Sequence, residues 1–186
     1  IVRQLEKAES FIFLEFFIIR EGIFWNTILE ILQRKARSGV EVRVMYDDIG
    51  CMTTLPRDYV STLTSMGIKA KTFAKVTPFF STHYNNRDHR KILVIDGKAA
   101  FSGGINLADE YINKEERFGK WKDNCFLLQG DAVRNYTLMF LQLWNTTVSQ
   151  DAKLYQPYVS VRSDRVPREG DGFIIPYGDG PHSPVS

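Results

Sequence analysis

Four residues in one short run have the types and spacing to work on an anion with a reactive centre. His89, Lys91 and Asp96 stand in the pattern H-x-K-x-x-x-x-D, and Gly103-Gly104-Ile105-Asn106 follows as G-G-x-N after six further residues. A histidine supplies a nucleophile or general base near neutral pH, a lysine a compact fixed cation, and an asparagine amide a hydrogen-bond donor. Brought to one spot, the three suit a phosphate group that is attacked at phosphorus while its oxygens are held.

The elements around the run must do the positioning. Side chains alternate across a strand, so His89 and Lys91, two apart, are expected on one face with Leu93 and Ile95. Asp96 has the other parity and precedes Gly97, and an Asp-Gly pair between two apolar runs predicts a hairpin turn. The chain should return through Lys98 to Gly104 and bring Asn106 back to the level of His89 and Lys91. Asp96 is then expected off the reactive face, in a structural role that holds the hairpin or nearby backbone donors.

The remainder reads as strands alternating with helices. Residues 11–19 (FIFLEFFII) form an apolar run broken only by Glu15, too continuous for a half-exposed strand, and predict a central strand covered on both faces. Ile28, Leu29, Leu32, Lys35 and Ala36 recur at helical spacing before Gly39. Residues 40–46 predict a second strand ending at Asp47-Asp48, residues 56–66 a helix, and residues 68–73 a third strand. An aromatic-rich loop, 76–86, precedes the hairpin. Residues 107–120 read as an irregular or short helical excursion, 121–129 as a strand, and 130–148 as a largely buried helix. This order predicts an α/β fold, a mixed, largely parallel sheet flanked by helices, with ligands outside the carboxyl ends of its parallel strands. Residues 1–148 form the expected domain and 149–172 a linker. Residues 173–186 begin something new.

Composition narrows the function classes. With 186 residues, 44% of them hydrophobic, the chain can bury a full core. A net charge of +2 without a basic stripe points away from nucleic acid. Cys51 and Cys125 have no metal-ligand spacing and read as free thiols. No apolar run reaches the roughly 20 residues that span a bilayer. The chain starts at Ile1, within what reads as a helix, and ends inside a new apolar segment. Both ends read as cuts in a longer protein, which leaves room for a membrane anchor outside them.

HRKILVID followed by FSGGIN resembles the HKD signature of the phospholipase D superfamily. LEFFII, YDDIG, NNRDHRK, SGGINLADEYIN and RFGKWKD are similar to the bacterial cardiolipin synthases, over most of residues 11–144 and again from 173. Gly104 stands where the superfamily often has serine, and the glycine pair is usual for the cardiolipin synthase branch. The resemblance implies a phospholipase D-like half domain with one of two HKD motifs, followed by the truncated start of a second repeat. It implies that His89 attacks a phosphodiester to form a phosphohistidine, that Lys91 and Asn106 hold the non-bridging oxygens, and that Asp123 orients His89. It also implies phosphatidylglycerol as substrate and cardiolipin and glycerol as products. A membrane surface at the cytoplasmic face, a missing C-terminal half and no metal or other cofactor complete the implied setting. A single-motif homodimeric phosphodiesterase or nuclease is the rival, and a non-catalytic module for anionic lipid a third reading.

Further candidates each keep two readings. Asp123 orients His89 or is a surface aspartate at a strand start. Glu15 approaches the pocket or forms a structural ion pair. Asp47 and Asp48 line the site or cap a helix or turn. Arg87 and Arg90 contact lipid head groups or decorate a strand edge. Phe79, Phe80 and Tyr84 dip into a membrane interface or pack in the core. His83 and His182 carry no motif, since Pro184 stands where a second signature needs lysine.

Overall fold

A six-stranded mixed sheet forms the centre of the molecule in a computed structural model, which describes residues 1–74, 87–117, 119–146, 152–160 and 174–177. Strands β1 (Phe11–Phe16), β2 (Glu41–Asp47), β3 (Lys69–Phe73), β4 (Ile92–Ile95), β5 (Ala99–Gly103) and β6 (Cys125–Gln129) lie in the order β3-β2-β1-β4-β5-β6. β1 and β2, and β2 and β3, pair in parallel; the β1–β4, β4–β5 and β5–β6 pairs are antiparallel. The sheet is mixed and flanked by helices as expected, with antiparallel pairs in the majority. The hairpin inserts β4 beside β1 and β6 extends it, so the parallel part stops at three strands.

All six residues of β1 are buried, because its position inside the sheet covers it on both faces. On one face Ile12, Leu14 and Phe16 pack with Trp25, Ile28 and Leu32 of α2 (Ile23–Arg37) and with Tyr59 and Leu63 of α4 (Tyr59–Ser65). On the other, Phe11 and Phe13 pack with Ile92, Val94 and the buried side of α5 (Val133–Trp144). That helix buries Val133, Thr137, Phe140, Leu141 and Trp144 and leaves the rest of its surface partly open, less buried than its apolar sequence suggests.

Of two short helices, the first read as a helix end from the sequence and the second was not legible there as a helix. α1 (Val2–Leu5) packs on α2, and α3 (Asp48–Cys51) starts at Asp47, whose carboxylate accepts from Gly50 N at 2.9 Å. Part of the stretch read as linker is folded. A 3₁₀ turn, Ala152–Leu154, and α6 (Gln156–Val159) place Tyr158 against Phe11 and Phe13, with ring centroids 5.2 Å apart in both cases. The aromatic rings there outweigh the prolines and charges that made the segment read as irregular. The aromatic loop with Phe79, Phe80, His83 and Tyr84 lies outside the described residues, as does His182.

Candidate active site

Five strand ends meet at one edge of the sheet. β1, β2 and β5 run towards it, whereas β4 and β6, antiparallel to their neighbours, start from it. This topology brings together Phe17 after β1, Asp47 at the end of β2, His89 and Lys91 before β4, Asn106 after β5 and Asp123 before β6. It is also the carboxyl end of the parallel strands.

The histidine and the lysine do not lie on the strand itself, since β4 begins at Ile92. They sit in the extended segment leading into it, which frees the His89 ring to tilt out over Phe17, with centroids 4.8 Å apart. His89 is exposed, whereas Lys91 is only 4% exposed. The Lys91 ammonium donates to the His89 carbonyl at 2.6 Å, lies 3.1 Å from His89 Nδ1 and stands 5.4 Å from the centre of the Phe17 ring. Burial pulls Lys91 down to about 8, against the opposing pull of Asp88 and Asp123. Partial burial, and then the Lys91 charge, hold His89 below the ordinary imidazole value. His89 is therefore neutral at pH 7. A protonated Lys91 makes Nδ1 an acceptor and leaves the ring proton on Nε2.

Asn106 is buried and held at both ends of its amide. Its oxygen accepts from Ile18 N at 3.0 Å, and its nitrogen donates to the Tyr111 hydroxyl at 2.9 Å. The backbone donor fixes which end is oxygen and leaves a second amide hydrogen for a ligand. Asp123 is exposed and accepts from Trp121 Nε1 at 3.1 Å and from Asn124 N at 2.7 Å. The neighbour of His89 Nδ1 is Lys91, not the carboxylate of Asp123.

The glycine pair has a steric reason. A Cβ on Gly104 would collide with the Asp123 carboxylate, and one on Gly103, whose φ is +152°, with the Asn124 carbonyl. Gly104 N donates to that carbonyl at 3.1 Å. Bare backbone here lets residues 123 and 124 lie directly against the end of β5. Sequence reasoning passed over Phe17, Tyr111 and Trp121. The last two rings meet edge to face at 4.6 Å and link the supports of Asn106 and Asp123. Aromatic residues in an otherwise polar stretch were the available signal.

Three buried acids lie beneath the His89–Lys91 segment. Asp47 accepts from Gly50 N and from Asp88 N at 3.1 Å, and Arg87 Nη1 approaches it at 3.5 Å. Glu15, fully buried, has Arg90 Nε 2.6 Å from its Oε1, and that same Nε donates to Asp88 Oδ1 at 3.2 Å. Burial, then the neighbouring Asp88, push Glu15 well above the usual carboxylate range. Asp96 is elsewhere, at the far end of the hairpin. Its carboxylate accepts from the backbone N–H groups of Glu9, Ser10 and Phe11, each at 2.8 Å. At about 3.3 Å per strand residue that puts it on the order of 20 Å from His89. Among the described residues no group of three or more His, Cys, Asp or Glu could hold a metal ion.

A family model described as "Cardiolipin synthase, PLD-like domain" matches residues 1–144. The chain belongs to the cardiolipin synthase, PLD-like domain family. A cardiolipin synthase of Alkalihalophilus pseudofirmus is 40% identical over 182 residues, which cover 97% of this chain and 35% of that protein. An uncharacterised protein of Streptococcus mutans is 56% identical over 179 residues, 96% of this chain and 38% of its own. The chain thus spans little more than a third of these relatives' length. Among solved structures, NucT from Helicobacter pylori has a TM-score of 0.56 at 13% identity, covering 77% of this chain and 84% of that one. At that identity the likeness speaks for the fold, a phospholipase D-family sheet.

Proposed function

We propose that the chain is the N-terminal catalytic half of a cardiolipin synthase that transfers a phosphatidyl group between two phosphatidylglycerol molecules through a phosphohistidine. The observation that carries the reading is the pairing of an exposed, neutral His89 with a buried Lys91 whose ammonium is 3.1 Å from the ring nitrogen. A cation hidden behind the nucleophile is placed for the phosphate that the nucleophile attacks.

In this reading the phosphodiester of the first lipid draws Lys91 from Nδ1 onto a non-bridging oxygen, and Asn106 gives its second amide hydrogen to that group. Nδ1 then takes the ring proton, with the Asp123 carboxylate as its acceptor, so that the lone pair on Nε2 faces phosphorus. The P–N bond forms as the P–O bond to glycerol breaks. Glycerol leaves with a proton from the second motif's histidine, which lies in the remainder of the protein. The hydroxyl of a second phosphatidylglycerol gives a proton back to that histidine and attacks phosphorus. The P–N bond breaks, giving cardiolipin and free His89. The lipid substrates place the reaction at a membrane surface. No described helix is long and apolar enough to cross a membrane.

The test is the full-length protein on phosphatidylglycerol vesicles, with cardiolipin and glycerol as readouts. Cardiolipin from the parent protein and none from His89→Ala supports the reading. No cardiolipin from the parent, or normal synthesis by His89→Ala, overturns it.

A further inference from the structure

The least compensated charges in the described structure are not the catalytic ones. Glu15 sits on β1 between Met45 of β2 and Ile92 of β4, on the apolar face that α5 covers. Arg90 Nε lies 2.6 Å from its Oε1 and 3.2 Å from Asp88 Oδ1, so the two carboxyls meet at one guanidinium nitrogen. Both Glu15 oxygens and Asp88 Oδ2 are buried and without a hydrogen-bond partner among the described residues. The guanidinium that serves both acids, Arg90, has a single Nε–H, and it is directed to Asp88 Oδ1.

The other charges nearby are engaged elsewhere. On the same face of the sheet Arg43 pairs with Glu41 and the Tyr158 hydroxyl, and Lys71 donates to the Trp144 carbonyl. Asp47 binds the Asp88 backbone N–H and pairs with Arg87, and Lys91 points to His89. Two ionised carboxylates facing one guanidinium would leave a net negative charge in an apolar layer, with three of their four oxygens lacking a donor. One proton removes the charge and supplies the missing donor.

We propose that Glu15 and Asp88 share a single proton, and that this pair, tied to Arg90, is the clamp that sets the position of the His89–Lys91 segment. Asp88 and Arg90 alternate with His89 and Lys91, so anchoring the first two below the segment presents the second two at the site. Glu15 is a positioning residue in this scheme, for it touches Arg90 and Asp88 and not the reacting atoms. The positioning part rests on the phosphatidyl-transfer reading; the shared proton does not.

The test uses the full-length protein and two independent readouts. Glutamine reproduces a protonated carboxyl, donating to Asp88 and accepting from Arg90. Glu15→Gln should therefore keep kcat within about twofold, whereas Glu15→Ala should lower kcat by roughly tenfold with little change in KM. The second readout is the melting temperature against pH. A carboxyl that stays protonated in the fold after its unfolded counterpart has ionised makes stability fall as pH rises from about 4.3. The parent should show that fall relative to Glu15→Gln, and Asp88→Asn should show it reduced. Parallel melting profiles of parent and Glu15→Gln overturn the shared proton whatever the activity. A Glu15→Gln as impaired in kcat as Glu15→Ala shows that the ionised form is required and overturns the clamp. If the parent makes no cardiolipin, the proposed function fails while the melting profiles still decide the shared proton.

Discussion

The two ends of the β4–β5 hairpin are built from the same motif and have opposite electrostatic character. At the turn, Asp96 and Gly97 adopt φ of +52° and +64°, Lys98 N donates to Ile95 O at 2.9 Å, and the Asp96 carboxylate collects three backbone donors. Both charged side chains there have partners that suit their charge, Asp96 in the three N–H groups and Lys98 in the Glu9 carboxylate at 3.9 Å. At the open end, a lysine has lost most of its hydration and crowds a histidine, above two carboxyls of which three oxygens lack a donor. Satisfied polar groups make a scaffold. Groups held in settings that disfavour their ordinary protonation state make a reactive site. The motif's aspartate and its histidine are neighbours in sequence pattern only.

Substitutions at the two ends should therefore fail in different ways. At the open end, His89→Ala in the full-length protein should lower phosphatidyl transfer by roughly a thousandfold or more, with an unfolding midpoint close to the parent's. At the turn, Asp96→Ala strips the acceptor from three N–H groups. It should cost about 3 kcal/mol or more in chemical denaturation while leaving kcat per folded molecule near normal. If Asp96→Ala instead abolished kcat in a stable protein, the division between the two ends would be wrong.

Lys91 sharpens the comparison through pH. Activity on free enzyme needs its ammonium, so kcat/KM should fall as pH rises through about 8. Stability should move the other way. Between about 8 and the ordinary lysine value the unfolded chain binds the proton that the fold has released, so the melting temperature should gain from rising pH in that window. Lys91→Met should remove both trends.

Smaller effects are expected from the supports. Gly104→Ala pushes a methyl group into the Asp123 carboxylate and, with Asp123 in the proposed role of acceptor for His89, should lower kcat by about tenfold and alter the pH profile. Tyr111→Phe removes one hydrogen bond that aims Asn106 and should lower kcat by roughly two- to tenfold.

The spacing from His89 to Asn106 was enough to bring the two to one end of the hairpin, because an Asp-Gly turn is a local rule that survives folding. The same rule took Asp96 off the reactive face. The all-buried β1 was legible from an apolar run broken only by Glu15, which stood out because a carboxylate there needs a partner. That partner was not legible. Asp88 comes from a segment more than seventy residues away, and only the antiparallel insertion of β4 beside β1 brings the two together. Tyr111 and Trp121 were hidden for the same reason, since ordinary aromatic residues gain a role only from what they touch.

The sequence by itself determined which residue types stand at which spacing along each strand, and so the fold class, the turn and the candidates for a reactive pair. Tertiary structure alone decided which strand ends share an edge and how far each charge is removed from water. Protonation of His89, Lys91 and Glu15 depends on burial and on charges from distant segments. Those are properties of the packed sheet that no local pattern carries.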